Sequence, residues 1–206
     1  MPNQLEVLTV GHSNHILEAF INLLLANRVT AVADVRSAPF SRLHPQFNRD
    51  ALAEELKNEG IAYSFLGNEL GGRPKDKSCY EGGQVQYRRV AKTGEFGRGL
   101  DRILTGAQQY RIALMCAERE PLECHRGLLI APELENRRVS VVHIHADGTL
   151  ESHAQAMDRL LTLFGLSGED LFRSRSELVE EACLRQQERV AYAETPPSPE
   201  GARAAR

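Results

Sequence analysis

At 206 residues, 42% hydrophobic and 26% charged, the chain has the length and composition of one globular domain that can build its own core. A net charge of -3 argues against a dedicated polyanion binder, and 6% aromatic residues with no Trp make a poor stacking platform for single strands. No apolar run reaches the ~18 residues of a membrane span, and the opening MPNQLEVLTVGHS lacks the basic and apolar regions of a secretory signal. The expected setting is the cytoplasm, with no membrane partner.

Residues 5–10 (LEVLTV) are a short apolar run that stops at Gly11-His12-Ser13, the pattern of a buried strand ending in a tight turn. Residues 16–27 then repeat Ile16, Phe20, Leu23 and Leu24 at helical spacing, with Ser13 or Asn14 the expected N-cap. A second strand is expected over 30–35, ending at Asp34-Val35-Arg36. A helix follows over 48–59, with Leu52 and Leu56 inward and Gly60 closing it, and then a third strand over 61–66. From Gly67 to about Arg98 the chain is Gly-rich, basic and interrupted, the character of a binding loop or lid. Between Gly71 and Arg102 it carries eight Lys/Arg against four Asp/Glu, about +4 on a chain that is negative overall.

A helix around 97–110 leads into the most apolar strand, 112–116. Pro121 and Cys124 introduce a helix expected to run to about Arg137, bent at Pro132. Residues 139–145 read as a fifth strand, with helices near 152–164 and 174–191. The end of the chain, 193–206, finishes in TPPSPEGARAAR and has too little apolar surface to fold. Strand–helix alternation with continuously apolar strands indicates an α/β fold. The expectation is a small open, mostly parallel sheet of about five strands with helices on both faces. Residues 1–192 form its single domain, of which 166–192 is a helical C-terminal extension.

Ligands of such sheets bind outside the carboxyl ends of the strands, and the polar clusters fall there. They are Gly11-His12-Ser13, Asp34 with Arg36, Gly67-Asn68, and Cys116 with Glu118. The sharpest segment is CAEREPLECHR, residues 116–126. Strand alternation delivers Cys116 and Glu118 to one side. A helical first turn carrying Cys124, His125 and Arg126 would favour an anion and a lowered Cys124 pKa, with Arg126 a bidentate donor and His125 an acid/base or a ligand. Each feature also has a structural reading. Cys116 can be a small buried hydrophobe, Ser13 a helix cap, and Asp34–Arg36 or Glu118–Arg126 an ion pair. His143 and His145 can occupy an exposed strand face. Gly11 suits close backbone approach to a ligand. Cys79 and Cys183, the other two of the four cysteines, read as incidental thiols.

In combination these residues resemble a known family. Thr9-Val10-Gly11-His12-Ser13, Asp34-Val35-Arg36 with Pro39, Ser41 and Phe47, then Tyr63, Leu66-Gly67 and Leu70-Gly71-Gly72 look like the opening of the domain-of-unknown-function 488 family. Cys116, Glu118, Pro121, Cys124-His125-Arg126 and His143-Ile144 continue the likeness, over about residues 5–165. The resemblance implies a compact α/β domain and supplies no reaction.

The functional expectation is an enzyme, a hydrolase or transferase, acting on a small anionic or nucleotide-like substrate, with nucleic acid a further possible partner. His12, Asp34, Glu118, Cys124 and His125 would do the chemistry, and Gly11, Ser13, Arg36, Cys116 and Arg126 would hold the substrate. No cofactor or bound metal is expected, beyond Mg²⁺ carried by the substrate. On this reading Arg126→Ala abolishes ligand binding and leaves the fold intact. A zinc hydrolase built from Cys116, Cys124, His125 and Glu118 is an alternative. It is weakened because adjacent Cys124 and His125 would point about 100° apart on a helix. A non-catalytic binding module using the basic loop 71–102 is another. Thiol-phosphatase chemistry is disfavoured, because the Arg of a Cys-x5-Arg loop is replaced by Leu122 or Ile130.

Overall fold

The computed structural model describes residues 5–167 and 171–194. In chain order the elements are β1 (Glu6–Gly11), α1 (Leu17–Ala26), β2 (Ala31–Asp34), α2 (Arg49–Asn58), β3 (Ala62–Phe65) and α3 (Gly67–Leu70). A small hairpin, β4 (Tyr80–Glu81) and β5 (Gln84–Val85), precedes α4 (Tyr87–Val90), α5 (Gly94–Ala107) and β6 (Ile112–Cys116). The chain finishes with α6 (Ala131–Asn136), β7 (Ser140–Ile144), β8 (Leu150–Ser152), α7 (His153–Leu163) and α8 (Arg175–Val190).

The main sheet has six strands in the order β3-β2-β6-β1-β7-β8, all parallel except β8, which runs antiparallel to β7. The expected architecture is there, with one strand more than the five read from the sequence. β8 is a three-residue edge strand whose last residue, Ser152, also caps α7, so it has no hydrophobic signature of its own. Alternation sorts the strand side chains into two cores. Leu8, Val10, Val32, Ala113 and Met115 pack with α1 and α2 through Phe20, Leu24, Leu52 and Leu56. Val7, Ala33, Leu114 and Cys116 belong to the opposite core, beneath α5, α6, α7 and α8.

Three local expectations change. Ser13 does not cap α1. It takes a left-handed φ of 48° and its hydroxyl donates to Asn14, while Ile16 occupies the cap position without a side-chain bond. The stretch 67–98 is no open loop. Asp76 accepts the Ser78 amide, the β4–β5 hairpin follows, and Thr93 caps α5 through the Phe96 amide. Of its cations, Lys77 pairs with Glu194, Arg88 with Glu180 and Arg89 with Glu81, and Arg102 just beyond the stretch pairs with Glu69.

Residues 121–137 are not one bent helix. Pro121–Glu123 form a 3-10 turn, Cys124 is extended (φ -137°, ψ 146°), and Arg126–Ile130 wind as a π-helical turn before α6. Pro132 stands in the first turn of α6 and has no N–H to offer the preceding turn, which favours a local change of winding ahead of it. Most of the tail lies outside the described residues, but Ala193 and Glu194 are tied down by a bridge to Gln84 and a bond from the Glu194 amide to Gly83 O. Among the described residues no helix is long and apolar enough to cross a membrane.

Candidate functional site

The carboxyl ends of β1, β2 and β6 lie side by side, with Gly11 opposite Cys116 and Asp34 opposite Met115. Pairing continues past the strands: the His12 and Ser13 amides donate to Cys116 O and Ala117 O, both at 2.9 Å. The connection after β1 leads through α1 to β2 on one face, and that after β6 leads through α6 to β7 on the other. The β1 and β6 ends therefore mark the topological switch point, where such sheets bind ligands. The residues singled out in the sequence do meet at this rim, but they divide into two groups.

The first group holds itself. Arg36 makes a two-pronged pair with the fully buried Asp34, Nε to Oδ1 at 2.9 Å and NH2 to Oδ2 at 2.6 Å, and also donates to Phe47 O. Tyr63 donates its hydroxyl to Asp34 Oδ2 at 2.6 Å. His12 donates from Nδ1 to Ser13 O, accepts from Arg36 at Nε2 (3.2 Å) and stacks on Phe47. Burial and the Arg36 charge lower its pKa to about 4, so its imidazole is neutral. Gly11 allows a close approach, but to the chain itself: a Cβ there would lie 1.9 Å from Glu118 O. This group sets the shape of the rim.

The second group gathers side chains of reactive type, two thiols, an imidazole and a carboxyl group. Cys116, at the end of β6, donates its S–H to Glu118 Oε2 at 2.8 Å, and Cys124 Sγ lies 3.2 Å from the same oxygen. His125 Nδ1 stands 3.7 Å from Cys116 Sγ and 3.6 Å from Cys124 Sγ. Because Cys124 is extended rather than helical, its side chain and that of His125 converge. The angular objection to a shared ligand therefore falls away. Cys116, Cys124 and His125 are the residues here that could hold a metal ion, their donor atoms all within 4.8 Å of one another.

Burial and the neighbouring Cys124 push the Cys116 thiol well up. Burial also opposes ionisation of Cys124, but the Cys116 hydrogen bond and the charges of Arg126 and His125 outweigh it and hold this thiol well below its usual range. Burial works against the His125 cation, yet the Cys124 charge keeps its pKa raised; burial and Cys124 raise that of Glu118. These directions favour charge on Cys124 and His125 over charge on Cys116, with the Glu118 carboxyl group beside them.

Arg126 stands apart from its expected role. It is 1% exposed, and its two terminal nitrogens donate to Glu118 O (2.7 Å) and Arg119 O (2.9 Å). It clamps the 118–119 backbone instead of facing a ligand, and its partners are these carbonyls, not the Glu118 carboxylate. His143 is buried too, bonded to Thr9 Oγ1 at 2.7 Å and to His153 Nδ1 at 3.1 Å. His145 pairs with Glu151. The His143 face of β7 is therefore not the exposed surface that alternation suggested.

A polar cavity of about 410 Å³ opens over the second group, with Arg36, Arg73, Cys116, Glu118, Cys124 and His125 on its walls. His12, Asp34 and Arg126 are not on those walls. Sequence reasoning missed Arg73 and Tyr192. The Arg73 amide donates to Ser37 Oγ at 2.9 Å and its guanidinium lies over the Tyr192 ring, 4.5 Å from the centroid. The only sequence signal for Arg73 is its place directly after Gly71-Gly72. Tyr192 comes from the segment after α8 and has none.

No curated protein and no solved structure matches the chain. The family model described as domain of unknown function DUF488 matches residues 16–131, a span that contains every residue of the reactive group. More than half of the chain lies in that match, and the chain belongs to the DUF488 family.

Proposed function

We propose that the protein is an enzyme, a hydrolase or transferase, that takes a small phosphate-bearing anion into the cavity at the switch point of the sheet. The observation that carries this reading is the joint presence on its walls of a thiol–imidazole–carboxyl cluster and of Arg73, a cation with no carboxylate partner among the described residues. Arg73 supplies the forked donor that an anionic group needs. Glu118, its carboxyl raised by burial and Cys124, serves as the proton-transfer group, and Cys124 as the nucleophile with His125 beside it. A reducing, cytoplasmic setting keeps the thiols active.

Titration calorimetry with inorganic phosphate and a set of nucleoside monophosphates tests it. Binding is expected to weaken by about 10-fold or more in Arg73→Ala and to stay unchanged in Lys57→Ala, on an exposed face of α2. Equal weakening in both variants would mean general charge attraction, and no binding by the unaltered protein would overturn the reading.

A further inference from the structure

The reactive group is arranged as a set of ligands. We propose that Cys116, Cys124 and His125 bind a thiophilic divalent transition-metal ion, for which zinc suits the donors, with the fourth position facing the cavity and Glu118 beside it. The inference builds on the reading of this cavity as an active site, and its test separates the two.

Spacing is the first argument. Around a tetrahedral zinc ion with ordinary Zn–S and Zn–N lengths, a sulfur and a nitrogen ligand stand about 3.6 Å apart. His125 Nδ1 is 3.7 Å and 3.6 Å from the two sulfurs. Ring orientation is the second. His125 Nε2 lies 3.0 Å from Val35 O, and a carbonyl only accepts, so Nε2 carries the hydrogen and Nδ1 is the atom directed at both sulfurs. A ligating histidine is held in this way, by its other nitrogen on a backbone oxygen.

The surroundings are also those of a ligand set. The Arg126 amide donates to Cys124 Sγ at 3.4 Å, which supports negative charge on that sulfur. A Cβ at Gly72 would come within 3.0 Å of the His125 ring, so Gly72 lets the chain close over the imidazole. The three ligands come from the end of a central strand and from the turn that Arg126 clamps, a rigid mounting that needs no reorganisation to receive an ion. An ion held there would supply Lewis acidity on the cavity side, and Glu118 would stand beside it to exchange a proton.

The test uses the full chain, purified under reducing conditions, stripped with a chelator and reloaded with zinc or cobalt. Elemental analysis is expected to give one zinc per chain. Cobalt is expected to show the sulfur-to-metal charge-transfer band and strong visible bands of a four-coordinate thiolate site. Cys116→Ser and His125→Gln should each weaken binding about 100-fold, with circular dichroism reporting whether they fold, and Cys183→Ser should not. Zinc well below one equivalent, cobalt bands without sulfur character, or equal loss in Cys183→Ser overturns the site. The cobalt spectrum of the unaltered chain keeps the test valid if a variant fails to fold. Phosphate binding without metal would sink this inference alone; metal binding without any anion binding would sink the substrate reading alone.

Discussion

Among the described residues Arg126 is the largest side chain shut away from solvent. Its charge sits against two backbone carbonyls, Glu118 O and Arg119 O. A charge-assisted bond of this kind contributes about 1.5–3 kcal/mol, so Arg126→Ala should lower the unfolding free energy by about 3–5 kcal/mol in a urea titration. A loss under about 1 kcal/mol would show that the clamp is not structural. Gly11→Ala tests the other side of the same joint. With Glu118 O at 1.9 Å from the new Cβ, β1 and the 118 loop must separate. The expected cost is about 2–4 kcal/mol in the same titration, and a stability equal to that of the unaltered chain would contradict the packing. That Cys116, Glu118, Cys124 and His125 matter was legible from their types and from their place after an apolar strand. Their division from His12, Asp34 and Arg36 was not. It depends on strand register and on the Phe47 carbonyl and the Tyr63 hydroxyl, which come from other segments.

Elements with a strong hydrophobic period, such as β1, β6, α1 and α2, could be read directly from the chain, because burial of one face is a local pattern. The 121–137 segment could not. Its apolar spacing suits a helix, yet two prolines withhold amides that a continuous helix would use, and the extended Cys124 between them creates the ligand geometry. The C-terminal extension had the right helix and no visible purpose. In the structure Gln187 Oε1 accepts the Tyr87 amide at 2.9 Å and Gln186 donates to Leu122 O at 3.0 Å. The Val85 amide donates to Tyr192 O at 2.9 Å. These bonds hold Val190 and Tyr192 as a wall of the cavity. A chain ending after Leu166 should expose Cys116 and Cys124, so that reaction with a chromogenic disulfide speeds up by about 10-fold or more. An unchanged rate would show that α8 and the segment after it do not shield the site.

At the scale of the whole molecule, the charge of -3 conceals a pairing of opposite signs across the fold. The C-terminal carboxylates Glu180 and Glu194 meet cations of the 71–102 stretch. The net charge therefore described the surface poorly, while the three of the four buried histidines whose pKa is lowered dominate its response to acid. Burial and Arg36 lower His12 to about 4, burial and His153 lower His143 to about 2, and burial lowers His153 to about 4. Unfolding returns each to about 6.5, so the unfolded chain binds more protons throughout that interval. Stability is complete above about pH 6.5 and falls as the pH drops, with a slope approaching about 3–4 kcal/mol per pH unit near pH 5. Urea titrations at pH 7, 6 and 5 should show that decline, and equal stability at the three values would mean that the histidines are charged in the fold.

The centre of the account is that one strand end and one proline-bounded turn bring two sulfurs and an imidazole to a common point beside the cavity. X-ray absorption at the metal edge of the zinc-loaded protein addresses this most directly. The expected spectrum has two sulfur neighbours at about 2.3 Å and nitrogen or oxygen neighbours at about 2.0 Å. A shell of nitrogen and oxygen alone would contradict it.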